Sequence, residues 1–189
     1  MKIKNLNNYT DYFTQQIIVS KYNAPDRLDL VSNYLIKKYN LSFDSYILDI
    51  GCRNGTGIKN LIDKGYKNSY GIDIGMEMIK NYGTDNFYSC DMHESIGFEH
   101  TFDLITIIHT LEHAYDVSKV LTNIQSSLKK DGILYIVIPK GEYSNPAHYI
   151  DVQEIEEFFP ILNQLNYNII ETEVARNGTE FIYHCKYKN

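Results

Sequence analysis

The sequence of 189 residues predicts an α/β fold in which a mostly parallel sheet carries helices on both faces. Short apolar runs alternate with amphipathic segments over residues 46–138, which is typical of strands joined by helices. Acidic residues close three of these runs: Asp49, Asp73 and Asp91. Two longer runs then follow, and the Asn177-Gly178 pair between them indicates an antiparallel hairpin.

Local patterns predict each element in turn. Leu28, Val31, Leu35 and Ile36 recur at helical spacing after the helix-starting pair Pro25-Asp26, and a further helix is predicted over residues 12–22. Strands are predicted from Tyr46 and over 69–74, 86–90, 102–108, 133–138, 167–176 and 179–187. Helices are predicted over 58–64, 76–81, 117–128 and 152–163, and a turn over 129–132. We expect one domain over 1–189, with a helical cap at 1–45 and a core at 46–189.

Composition narrows the classes of function. The formal net charge of -6 and the pI near 5.5 argue against a broad basic surface for long nucleic acid. Three cysteines without metal-ligand spacing are expected to be reduced thiols. The first residues lack an apolar signal core and no run is long enough to span a bilayer, so we expect no membrane partner and a cytoplasmic location.

The stretch from Asp49 to Gly57, Asp-Ile-Gly-Cys-Arg-Asn-Gly-Thr-Gly, is the most informative part of the chain. It directly follows the apolar run Tyr46-Ile47-Leu48. It predicts a buried strand that breaks into a glycine-rich turn and then a helix. Without a Cβ at the turn, backbone amides can approach a nucleotide-type ligand closely.

This order of segments resembles the class I S-adenosylmethionine (SAM) dependent methyltransferases. The block Phe102–His113 strengthens the resemblance, since it opens with Phe-Asp-Leu-Ile and ends with Leu-Glu-His. The resemblance implies a Rossmann-like sheet of seven strands with a C-terminal antiparallel hairpin. It also implies that the first acid holds the methionine half of the cofactor, the second the ribose hydroxyls, and the third the adenine amino group. The cofactor-binding residues expected from it are Asp49, Gly51, Cys52, Arg53, Gly55, Asp73, Ile74, Asp91, Met92 and His109.

Arg53 departs from the family pattern, which usually has a glycine at this position. Its side chain either points to solvent or contacts the carboxylate of the cofactor, which its planar fork suits. A guanidinium that blocked the pocket would make the chain a degenerate relative.

The methyl acceptor is expected to be a small molecule or a glycan-type molecule, with a hydroxyl as the group methylated. Methyl transfer from a sulfonium needs mainly positioning and, for a hydroxyl, removal of its proton. Histidine titrates closest to neutral pH, so His109 and His113 are the predicted catalytic residues and His148 is a further candidate. His93 and His100 are interpreted as surface residues.

Two other interpretations stay open at this point. His109, Glu112, His113 and His148 could bind a divalent metal, as in the metal-dependent ubiquinone-pathway and small-RNA-end branches that the block resembles. The chain would then be a metal-assisted RNA-end or catechol-type O-methyltransferase. The other interpretation is a non-catalytic partner subunit with the same fold, for which Arg53 is the main support. The oligomeric state is open.

Overall fold

The computed structural model of the protein describes residues 2–3, 27–75, 85–141 and 148–188. Two predicted helices, over 12–22 and 76–81, lie outside these ranges. Within the ranges, no helix combines the length and the apolar character that a membrane span requires.

A seven-stranded sheet forms the centre of the molecule, in the order β4-β3-β2-β5-β6-β9-β8. The pairs β3–β4, β2–β3, β2–β5 and β5–β6 are parallel, and β9 pairs antiparallel with both β6 and β8. The predicted mostly parallel sheet with an antiparallel C-terminal hairpin is therefore confirmed. The strands are β1 (Lys2–Ile3), β2 (Ile47–Ile50), β3 (Ser69–Asp73), β4 (Phe87–Ser89), β5 (Phe102–Ile108), β6 (Leu128–Pro139), β7 (Ile150–Asp151), β8 (Tyr167–Ala175) and β9 (Glu180–Tyr187).

Helices lie on both faces of the sheet, as predicted. They are α1 (Arg27–Lys38), α2 (Thr56–Asp63), α3 (Val117–Ser127) and α4 (Phe159–Gln164). Leu28 and Leu35 of α1 and Leu61 of α2 pack with Ile47 and Tyr135 on one face. On the other face the apolar sides of α3 and α4 pack against β5, β6 and β9. Burial of these two apolar layers is the main stabilising contribution to the fold.

The turn predicted over residues 129–132 is wrong, because β6 begins directly after α3. Phe102 pairs with Leu128 and Leu104 pairs with Ile133, so the four residues between form a bulge in β6. Lys129 stabilises this bulge with hydrogen bonds of 2.9 and 2.8 Å from Nζ to the two carboxylate oxygens of Asp103.

The helix predicted over 152–163 is also wrong in its first half. Residues 155–158 form a 3₁₀ turn, and α4 begins only at Phe159. Pro160 lies in the first turn of α4, where its missing N–H breaks no helical hydrogen bond. The segment before the 3₁₀ turn is extended, and its strand β7 pairs antiparallel with β1, which the sequence did not predict.

The C-terminal hairpin has a four-residue loop instead of the predicted two-residue one, because Ala175 and Glu180 are the last paired residues. Arg176, Asn177 and Gly178 all have positive φ, at 47°, 56° and 88°. These left-handed residues turn the chain and bring Arg176 back towards Glu180.

Polar contacts attach α1 to the hairpin at the end of the helix away from Arg27. The buried ring of His184 in β9 makes hydrogen bonds with Tyr39 through Nδ1 and with Glu173 through Nε2, the latter at 2.9 Å. Lys38 of α1 forms an ion pair of 2.7 Å with Glu171 of β8. The end of α1 is thus held against β8 and β9.

Candidate active site

The carboxyl ends of β2, β3, β4 and β5 meet at one edge of the sheet, where open α/β sheets bind their ligands. The predicted glycine-rich turn lies there, between β2 and α2. Gly51 has φ of 78°, and a Cβ at this position would lie 2.1 Å from Oγ1 of Thr110. Gly55 has φ of 73° and packs its backbone against the ring of Phe87. Both glycines are needed for their backbone conformation and for close packing.

Asp49, the first predicted acid, is buried at the end of β2. The hydroxyl of Thr106 in the neighbouring strand β5 donates a hydrogen bond of 2.6 Å to Oδ1 of Asp49. Thr106 was not predicted as a site residue, because its partner lies in a strand that is distant in sequence. Cys52 is buried with its side chain in the core, so the backbone is the part of Cys52 that the turn offers to a ligand.

Asp73, the second predicted acid, ends β3 and accepts one backbone N–H on each oxygen. Gly75 donates to Oδ1 at 2.8 Å and Arg53 donates to Oδ2 at 2.9 Å. Burial raises the pKa of Asp73, although these backbone hydrogen bonds and the charge of Arg53 oppose that shift. Each carboxylate oxygen has a second lone pair, so the group fits a pair of ribose hydroxyls as donors. The neighbouring Ile74 is exposed at the same edge.

Asp91, the third predicted acid, follows β4 and is bound by His93. The backbone N–H and Nδ1 of His93 both contact Oδ1 of Asp91, at 2.9 and 2.7 Å. The interpretation of His93 as a surface residue is wrong, because its ring is 1% exposed and stacks on Tyr115 with centroids 3.6 Å apart. His100 is exposed, as predicted. Met92 is buried beside Asp91.

Arg53 has a left-handed backbone, with φ of 51°, and an exposed side chain. A glycine adopts this conformation more easily, which is a physical reason for the glycine that the family usually has at this position. The backbone N–H of Arg53 is nonetheless used, since it is the donor to Asp73. The side chain is directed to the surface, so it leaves the turn open.

His109 follows β5 and is enclosed by carboxyl groups. Its Nε2 lies 2.6 Å from Oε1 of Glu180, and its Nδ1 lies 3.7 Å from Oε1 of Glu112. Burial, together with the positive charges of Arg27 and Arg176, lowers the pKa of His109 to about 3. The imidazole is therefore neutral at physiological pH, and Nε2 donates to Glu180.

Glu112, His113 and His148 come together beside it. Their ligand atoms lie within 4.8 Å of one another, and the two imidazole rings are 4.9 Å apart between centroids. The N–H of Tyr149 donates to the carbonyl of Glu112 at 2.7 Å, which holds the His148 segment against the Leu111–His113 turn. Burial raises the pKa of Glu112 to about 8. Of the four residues in the metal alternative, the structure brings these three together, while Nε2 of His109 faces Glu180.

Sequence reasoning missed a pair of arginines around Glu180 at this edge. Nη1 of Arg27 lies 3.2 Å from Oε1 of Glu180, and Nε of Arg176 lies 3.3 Å from Oε2. Glu180 is a buried carboxylate in the otherwise apolar start of β9, and that was the signal available in the sequence.

Comparisons with known proteins agree with this geometry. A family model described as a methyltransferase domain matches residues 48–136. The chain is 29% identical over 117 residues to ubiquinone biosynthesis O-methyltransferase of Haemophilus ducreyi, covering 55% of this chain and 49% of that protein. It is 28% identical over 137 residues to sterol 4-C-methyltransferase strm-1 of Caenorhabditis elegans, covering 65% and 41%. The chain thus spans about half the length of the curated relatives it matches.

Among solved structures, a similar one is 1,6-didemethyltoxoflavin-N1-methyltransferase of Burkholderia thailandensis with bound 1,6-didemethyltoxoflavin and S-adenosylhomocysteine. The TM-score is 0.72 at 17% identity, over 98% of this chain and 93% of that one. A SAM-dependent methyltransferase of Aquifex aeolicus gives 0.70 at 19% identity, over 92% and 98%. At such identities the likeness shows a shared fold. Together with the matched domain and the acid-ending strands, this likeness supports the class I SAM-dependent methyltransferase family for this chain.

Proposed function

We propose that the protein transfers the methyl group of SAM to a hydroxyl of a small-molecule or glycan-type acceptor, with residues 1–189 acting as one domain. The observation that carries this proposal is the row of carboxylates Asp49, Asp73 and Asp91 at the ends of three adjacent strands, beside the histidine-containing loop after β5. The relative from Haemophilus ducreyi is named as an O-methyltransferase, which supports oxygen as the atom methylated.

The cofactor is proposed to lie across the ends of β2, β3 and β4. When bound, it supplies an activated methyl group on a sulfonium. Asp73 would accept hydrogen bonds from the two ribose hydroxyls and Asp91 one from the adenine amino group. The turn from Gly51 to Gly55 would contact the methionine half. Ile74 and Met92 would lie beside the adenine, and Arg53 would contribute through its backbone, because its side chain is directed to the surface.

His113 is proposed as the base that takes the proton of the acceptor hydroxyl. Of the two predicted catalytic histidines, His109 is the weaker candidate, because a pKa of about 3 makes a poor proton acceptor at neutral pH. His109 instead has a positioning role through its hydrogen bond with Glu180. His113 lies in the short turn that follows, next to His148.

Calorimetry with SAM is the first test, and a micromolar dissociation constant is the expected result. A wild-type chain with no affinity for SAM would leave the non-catalytic partner as the surviving alternative. Next, a panel of hydroxyl acceptors is assayed with wild type, His113→Gln and His100→Gln. Loss of a general base lowers kcat about 100-fold or more. The matched control at exposed His100 is expected to leave kcat unchanged, and equal losses in both variants would remove the base assignment.

A metal-assisted reaction is the second candidate function, and one observation favours it. Within the part of the chain that the structure describes, the buried Oε2 of Glu112 accepts no hydrogen bond. A carboxyl oxygen together with two imidazoles is a donor set that fits a divalent cation. A cation held by Glu112, His113 and His148 would supply Lewis acidity to the acceptor hydroxyl, as in RNA-end or catechol-type O-methylation.

The two candidates differ in their response to chelation. A metal enzyme loses activity in EDTA and regains it with Zn²⁺ or Mg²⁺, whereas the base mechanism is insensitive. Direct titration of the protein with Zn²⁺ gives a second readout. His148→Gln is expected to weaken Zn²⁺ binding about tenfold or more if the cluster is a metal site, and His100→Gln again serves as the control. Activity that survives EDTA, with no Zn²⁺ binding, would exclude this candidate.

A further inference from the structure

We propose that Arg27 and Arg176 form an anion subsite that receives a carboxylate of the methyl acceptor, so that the acceptor is a hydroxy acid. The inference rests on the function proposed above and deepens it. It starts from the scarcity of arginine in this acidic chain, which has only Arg27, Arg53 and Arg176 in its full sequence.

Two of the three arginines, Arg27 and Arg176, come together at Glu180 on the active-site edge. Arg27 begins α1, Arg53 lies in the glycine-rich turn and Arg176 lies in the hairpin loop, so they are remote from one another in sequence. The pKa of Arg27 is lowered mainly by burial and then by the positive charge of Arg176, whereas the charges of Glu180 and Glu112 oppose that shift. Holding two guanidinium groups on one carboxylate has an electrostatic cost, which a bound anion would offset.

Glu180 neutralises only part of the positive charge of Arg27 and Arg176. It is one carboxylate shared by Arg27 and Arg176, and the two contacts are long, at 3.2 and 3.3 Å. The same Oε1 also accepts the hydrogen bond from His109. Each guanidinium has five N–H donors, and among the described residues Glu180 is the acceptor that these two arginines contact. Within that part of the chain, their remaining donors are available to a second, bidentate acid.

The exposure of the two side chains agrees with an open subsite. The Arg27 side chain is 35% exposed and that of Arg176 is 52% exposed, whereas that of Glu180 is 10% exposed. Glu180 thus contacts the two arginines on their buried side, and the solvent-exposed side of each guanidinium is accessible. The left-handed backbone of the hairpin loop directs Arg176 back towards Glu180.

The position of the pair selects the acceptor over the cofactor as the source of the carboxylate. Arg27 and Arg176 are joined through Glu180 to His109, which follows β5, while the carboxylates proposed to hold the cofactor end β2, β3 and β4. Arg53 lies in the turn proposed to contact the methionine half. An acid bound by Arg27 and Arg176 would therefore lie on the acceptor side of the transferred methyl group.

Matched pairs of hydroxy acids and their amides test the inference. We would titrate 3-hydroxybenzoate against 3-hydroxybenzamide, and lactate against lactamide, into the protein saturated with S-adenosylhomocysteine and follow binding by NMR. The acids are expected to bind about tenfold or more tightly than the amides. Arg27→Gln and Arg176→Gln are expected to abolish this preference, while Lys37→Gln, which removes an exposed charge elsewhere on α1, preserves it.

Other results would overturn the inference. Equal binding of acid and amide by the wild type would exclude the subsite. A loss of preference in Lys37→Gln as large as in the arginine variants would show that the preference for acids depends on the net charge of the protein and not on the two arginines. A drop in affinity for S-adenosylhomocysteine itself in Arg27→Gln or Arg176→Gln would assign the pair to the cofactor's own carboxylate.

Failure of the subsite and failure of the proposed function are separable. A wild-type chain that binds no SAM fails the proposed function, and the acid-against-amide titration without cofactor then decides the subsite alone. Thermal unfolding shows whether each variant is folded. Should Arg27→Gln unfold, Arg27→Lys keeps the charge but loses the bidentate fork, and it is expected to weaken the preference while retaining the fold.

Discussion

Replacing Gly51 by alanine tests the reasoning about the glycine-rich turn most directly. The backbone of Gly51 is left-handed, with φ of 78°. A Cβ there would lie 2.1 Å from Oγ1, 2.5 Å from Cγ2 and 2.8 Å from Cβ of Thr110. All three distances are shorter than van der Waals contact. Because one of them involves Cβ of Thr110, a rotation of that side chain alone cannot relieve the overlap.

The size of the effect follows from two separate costs. A left-handed backbone costs an alanine about 1–2 kcal/mol. Overpacking against a side chain that cannot move away costs about 1–3 kcal/mol. We therefore expect Gly51→Ala to lower the free energy of unfolding by about 2–5 kcal/mol, which urea denaturation would measure.

A second substitution separates these two costs. Thr110→Ala removes Oγ1 and Cγ2, and it leaves the conformational cost at Gly51 unchanged. The double variant Gly51→Ala/Thr110→Ala is expected to be more stable than the sum of the single effects, with a coupling energy of about 1–2 kcal/mol. Single effects that add within about 0.5 kcal/mol, or a Gly51→Ala variant as stable as the wild type, would refute the reasoning.

Three further predictions concern the acids and a thiol. Thr106→Val removes the hydroxyl that donates to Asp49, and urea denaturation is expected to show a loss of about 1–3 kcal/mol in unfolding free energy. Asp73→Asn is expected to weaken SAM binding in calorimetry about 10- to 100-fold, since it replaces charge-assisted hydrogen bonds, whereas Asp63→Asn on the exposed side of α2 leaves it unchanged. Burial raises the pKa of Cys185 to about 12, so mass spectrometry is expected to find no iodoacetamide adduct on it at pH 8 until the protein unfolds.

Each of these predictions has an outcome that contradicts it. Unchanged stability in Thr106→Val would mean that Asp49 does not depend on the buried hydroxyl. SAM affinity that falls equally in the Asp73 and Asp63 variants would show that the loss comes from the change in overall charge and not from a contact with Asp73. Rapid alkylation of Cys185 in the native protein would show that the β9 region opens readily.

Much of the sheet could be predicted because its signals are local. An apolar run that ends in an acid, such as the one before Asp73, predicts both a strand and the position of a carboxylate from a few consecutive residues. Element boundaries were less predictable where distant contacts decide them. The bulge after Leu128 depends on Asp103 in the neighbouring strand. The residues before Phe159 form an extended segment and a 3₁₀ turn where periodicity favoured an α-helix.

The missed part of the site has the same physical cause. Arg27 and Glu180 contact each other although 153 positions separate them, and no local pattern reports such a pair. The three acids that the family resemblance implied are at adjacent strand ends, as expected from parallel topology. The roles assigned to the histidines stay predictions until the proposed assays test them.

The attachment of α1 through His184 has a consequence for how this site could change. One end of the helix is held against the hairpin by Lys38 and by the contact of the following Tyr39 with His184, and at the other end Arg27 contacts Glu180. A substitution of His184 or Lys38 would loosen this attachment, and the separation of the two guanidiniums would then change without a substitution in the cleft. Selectivity for acceptors of different length could thus drift through residues on the far side of the molecule.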